Sequence, residues 1–88
     1  MWIFTNHIIK RLNERQISKE EVLSIVNREV GILVVPSDRD LDADLYFGKV
    51  QLKYILLVVN NKTNTLITVR KMRANEIKAF KEAIKDEK

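Results

Sequence analysis

At 88 residues, 45% of them hydrophobic and 32% charged, the chain is one globular domain with a small core, and it is not disordered. It has no cysteine, which excludes disulfides, thiolate catalysis and zinc–thiolate sites, and one histidine among scattered carboxylates gives no metal-ligand spacing. The formal net charge of +4 favours a nucleic acid or an acidic protein as partner.

Residues 2–4 form a short apolar lead-in. Thr5 or Asn6 can cap a first helix over residues 6–15. In the segment ISKEEV, Ser18 and Glu21 have the spacing of a capping box, with Ile17 and Val22 as its hydrophobic staple, so a second helix is predicted over 18–28. Two short helices so close together make a helical hairpin.

After Gly31 the pattern turns to strands. Residues 31–35 are apolar and β-branched, and Pro36 stops them. Residues 37–44 hold four aspartates and one arginine and read as an exposed loop. A strand is expected at 45–47, with Gly48 as a bend or bulge. Residues 51–60 should pair with 63–72 around a turn, and the unbroken apolar stretch 55–59 implies burial on both faces. Asn75 can cap a last helix over 75–86 that buries Ile77, Phe80 and Ile84. The expected fold is α+β, with an N-terminal helical hairpin packed on one face of a small antiparallel sheet and a C-terminal helix. The longest apolar run, 54–59, is far short of the ~20 residues that span a bilayer. The opening MWIFTNHIIKR has no secretory leader pattern, so a cytoplasmic location is expected and no membrane partner.

Chemistry concentrates in the first helix. His7, Arg11, Glu14 and Arg15 fall at i, i+4, i+7 and i+8, on one stripe, while Ile8, Ile9 and Leu12 take the other side. An imidazole exchanges a proton near neutral pH, and guanidiniums beside it can hold a phosphate. That is a minimal kit for cutting RNA; it is also the composition of an ordinary solvated helix face. Lys49, Gln51 and Lys53 alternate as if on one face of a strand, and Thr68 and Arg70 share a face of its partner, so these cations could stabilise a pentacoordinate phosphate. Lys71, Arg73, Lys78, Lys81 and Lys85 interleave with Glu76, Glu82, Asp86 and Glu87 and read as a solvated face. Asp38, Asp40, Asp42 and Asp44 alternate like a calcium loop but lack its glycine and closing glutamate. No metal and no cofactor is expected.

The segment TNHIIKRLNERQISKEEVLSIV resembles the opening of a family of small uncharacterised bacterial and phage domains. Those begin with a histidine, an arginine four residues on, and then a stretch of the form R-G-I-S-x-E-E-V. The segment KYILLVVNNKTNTLITVRKM resembles their closing hairpin, L-x-V-V…x-x-x-I-T-V. The resemblance covers roughly residues 5–27 and 50–72, with Gln16 in place of the glycine and no counterpart for residues 31–47 or the last helix. It implies kinship with the RelE- and BrnT-like toxin nucleases of the barnase–colicin–RelE-like fold, and it singles out His7, Arg11, Arg15 and Thr68, with Arg70 beside the last.

The expected function is that of a metal-independent endoribonuclease of the toxin type, cutting RNA by 2′-hydroxyl attack on the adjacent phosphate. His7, Arg11 and Arg70 would be catalytic, and Arg15, Lys49, Lys53 and Thr68 would bind the nucleic acid. The alternative is a non-catalytic phage or mobile-element accessory module that binds nucleic acid or an acidic protein such as an antitoxin.

Overall fold

Two side-chain oxygens start the N-terminal helices. In the computed structural model, which describes residues 1–85, the Thr5 hydroxyl accepts from the Ile8 amide at 3.2 Å and opens α1 (Asn6–Arg15). Ser18 and Glu21 complete the capping box of α2 (Lys19–Val26). The hydroxyl accepts from the Glu21 amide at 3.1 Å, and the carboxylate accepts from the Ser18 amide at 2.8 Å. Each helix ends on a left-handed residue, Gln16 at φ 57° and Arg28 at φ 60°. At the first end the Gln16 amide donates to the Asn13 carbonyl and the Ile17 amide to the Leu12 carbonyl. This is a Schellman termination, and it returns Ile17 to the core with Leu12.

Gln16 therefore stands where glycine carries no strain. Gln16→Gly should stabilise the protein by up to about 1 kcal/mol, raising Tm by several degrees in thermal denaturation. A lower Tm would mean that the Gln16 side chain contributes more than its backbone strain costs.

A strand precedes the helices, correcting the expectation that the helical hairpin opens the chain. β1 (Ile3–Phe4) is followed after α2 by β2 (Ile32–Pro36), β3 (Ala43–Val50), β4 (Lys53–Asn60), β5 (Thr65–Lys71) and α3 (Ala74–Lys85). The last helix was expected to reach residue 86, which lies outside the described residues. The sheet order is β1-β5-β4-β3-β2. β1 runs parallel to β5, pairing Ile3 with Thr65 and Phe4 with Leu66, while every other pairing is antiparallel. The fold is thus α+β, with three helices and a five-stranded mixed sheet, not a purely antiparallel one.

The apolar run of β4 explains the layers. Ile55, Leu57 and Val59 face α1 and α2, packing with Ile8, Leu12, Val22 and Ile25. Leu56 faces the other way, with Met72 and Phe80, backed by Tyr54, Ile77 and Ile84. Helices therefore cover both faces, α1 and α2 one and α3 the other. Gly48 is not a bulge: it pairs regularly with Ile32 and Ile55. It matters because a Cβ there would lie 2.9 Å from Cγ1 of Ile25, so its lack of a side chain lets α2 lie close on β3. The irregularity falls in β5 instead. Val58 pairs with Thr68 but Val59 pairs with Leu66, which leaves Ile67 as the extra residue, partly exposed.

Candidate nucleic-acid interface on the first helix

Because Ile8 and Leu12 are buried, the helical period turns His7, Lys10, Arg11 and Glu14 outward. These four line one shallow surface groove of about 150 Å³. His7 and Arg11 are brought together as their spacing implies. Lys10 joins them, a residue missed in the sequence although it stands three positions after His7. Arg11 lies 3.8 Å from Glu14 in an exposed i,i+3 pair, worth only a few tenths of a kcal/mol, so the guanidinium remains available to a stronger anion. Arg15 is exposed in the last turn of α1, beyond the residues that line the groove.

The expected strand cations are elsewhere, and for different reasons. Lys49 and Lys53 do not share a strand face with Gln51. Val50 pairs with Lys53 across a two-residue turn of Gln51 and Leu52, and Gln51 takes the left-handed conformation at φ 57°. Lys49 is thus on β3 opposite Tyr54, with its ammonium 5.2 Å from the ring centre. Lys53 lies on the α1–α2 side, where Nζ donates to the Gln16 carbonyl at 2.7 Å and to Glu21 Oε1 at 3.1 Å. The Ser18 amide first, and then Lys53, hold the Glu21 carboxyl below the usual carboxylate range.

Thr68 and Arg70 do share a face, opposite Val58 and Leu56 of β4. It is the face that α3 covers, not the one that carries α1. Arg70 is committed there: its two terminal nitrogens donate to the two Glu76 oxygens, each at 2.8 Å. Glu76 also accepts from the Arg73 amide at 2.7 Å, as the third residue of α3. This corrects the expected cap, since Asn75 lies inside the helix and Glu76 serves its first turn. The sheet therefore separates Arg70 from His7 and Arg11. The expected trio is not assembled, and Lys53 and Arg70 do not meet at one phosphate.

The Arg70 hydrogen bonds, with the Arg73 amide, pull the Glu76 carboxyl down to about 2 against the opposing effect of burial, and the same bond raises the Arg70 guanidinium. A carboxyl depressed in the folded state contributes stability above its unfolded value, and that contribution is lost as pH falls from about 5 toward 2. Glu76→Gln should therefore cost about 1–2 kcal/mol in urea unfolding at pH 7, with the gap to wild type narrowing at pH 2–3. An equal gap at both pH values would show that the pair does not stabilise the fold.

The acidic loop is dispersed. Asp40 Oδ1 accepts from the Asp42 amide, Asp42 pairs with Lys62 at 3.3 Å, and Asp44 belongs to β3. Among the described residues no three His, Cys, Asp or Glu side chains cluster as a metal site would require. No helix among them is long and apolar enough to cross a membrane.

An α+β domain with a five-stranded mixed sheet and an exposed cationic stripe on its first helix is the class that fold and site define. The chain belongs to the family described as a domain of unknown function, DUF4258, whose model matches residues 4–71. The match ends with β5 and leaves α3 outside it. No curated protein and no solved structure matches the chain.

Proposed function

We propose that the chain is a metal-independent endoribonuclease of the toxin type, allied to the RelE- and BrnT-like nucleases, and that it works through the outer face of α1. The observation that carries this reading is the shared groove of His7, Lys10 and Arg11. Arg11 and Lys10 hold the non-bridging oxygens of one phosphate. The neutral His7 imidazole takes the proton of the neighbouring 2′-hydroxyl, whose oxygen then attacks phosphorus. The 5′-oxygen leaves with a proton from water, and the upstream fragment ends in a 2′,3′-cyclic phosphate. Arg70 and Lys53 have no part in this step, since each already holds a carboxylate on its own side of the sheet.

Those same ion pairs favour a second reading, in which the groove binds RNA without cutting it. A single histidine with cations from one helix offers a transition state less support than a site drawn from two elements. A third reading seats an acidic protein on the stripe, as an antitoxin would be. Induced expression separates cleavage from binding. Wild type should arrest growth and His7→Ala should not. If wild type is harmless, or if His7→Ala arrests growth equally, the cleavage reading fails.

A further inference from the structure

Across the sheet from α1, Tyr54 stands in a groove of about 390 Å³ lined by Lys49, Phe80, Lys81, Ile84 and Lys85. Its ring carries two ammonium groups, Lys49 at 5.2 Å and Lys81 at 5.5 Å from the centroid. Phe80 meets it edge-on, with centroids 6.2 Å apart at 80°, and so fixes its plane. No carboxylate among the described residues lines the groove, and none of them forms an ion pair with Lys49, Lys81 or Lys85. Among the described residues, three cations thus surround one fixed aromatic ring with no carboxylate beside them.

We propose that this groove is a second nucleic-acid site, which takes a single-stranded segment with one base stacked on Tyr54 and the flanking phosphates on Lys49, Lys81 and Lys85. The chemistry is complementary at both ends. Ammonium groups held over a ring only by weak, exposed cation–π attraction move readily to a phosphate, a stronger partner, and uncover the ring for a base. An acidic peptide could satisfy the lysines but has no use for the ring between them. The α3 residues of the groove lie outside the family-matched segment, so the site is built partly from what this chain carries beyond that match. The proposal shares its ligand with the proposed function but not its residues.

Fluorescence anisotropy with a short labelled 2′-O-methyl oligouridine tests it, because that probe has no free 2′-hydroxyl and is bound without being cut. Tyr54→Leu should weaken binding about tenfold, while Tyr54→Phe, which keeps the ring, should bind within about twofold of wild type. Lys81→Glu with Lys85→Glu should also weaken binding about tenfold and reduce its salt dependence. Inorganic polyphosphate should bind Tyr54→Leu as well as it binds wild type. The proposal is overturned if Tyr54→Leu, shown folded by its thermal transition, binds the oligouridine like wild type. It is also overturned if that variant loses polyphosphate to the same degree, or if polyglutamate displaces the probe as well as RNA does. Failure of wild type to cut unmodified RNA would remove the nuclease reading and leave these binding results standing.

Discussion

His7→Ala should lower the rate of RNA cleavage by ~10²–10⁴ while RNA binding and stability hold, because the substitution removes the general base we propose and little else. His7 is exposed, and its neighbour Ile8 carries the packing of that turn. A surface truncation of this kind changes stability by only about 0.5 kcal/mol. Arg11→Lys should also be damaging, since an ammonium cannot reproduce the two-pronged hold of a guanidinium on phosphate. Initial rates on a fluorescent RNA, with binding and Tm measured alongside, separate these effects. A His7→Ala rate equal to wild type would show that the groove does not perform the chemistry.

Leu57→Ala should cost ~2–5 kcal/mol, a large share of the whole, since a chain of this length has only ~4–13 kcal/mol of stability. Leu57 is fully buried in the strand at the middle of the sheet, paired with Tyr46 on one side and Val69 on the other. Removing its side chain opens a void between the sheet and the helices, which the rigid pairing on both sides cannot close. Ile67→Ala is the control: that side chain is 37% exposed at the β5 bulge, and its loss should cost less than about 1 kcal/mol. Urea unfolding measures both. Comparable losses at the two positions would mean that the core is not centred on β4.

Local signals were legible where the chemistry was local. Ser18 and Glu21 marked the start of α2 because a capping box needs only four consecutive residues. The α1 stripe was legible for the same reason, since a helical face is fixed by spacing alone. β1 was not, because two residues carry no period and become a strand only by pairing with Thr65 and Leu66, more than sixty positions away. The β3–β4 turn was missed because Gln51 and Leu52 lack the glycine, asparagine or aspartate that usually marks a two-residue loop. A single strand running through that turn would place Lys49 and Lys53 on a common face, whereas the hairpin sends them to opposite sides of the sheet. Arg70 was misjudged for a related reason: only the packing of α3 on the far face reveals that Glu76 claims it. The candidate site thus reduces to the part that one helix could specify.

Cutting of RNA by 2′-hydroxyl attack in the α1 groove, as we propose it, leaves a characteristic end group. End-group analysis of RNA incubated with purified protein in excess chelator tests it most directly. Wild type should yield fragments ending in 2′,3′-cyclic phosphate, and His7→Ala should not. Intact RNA, or fragments formed equally by the variant, would contradict it.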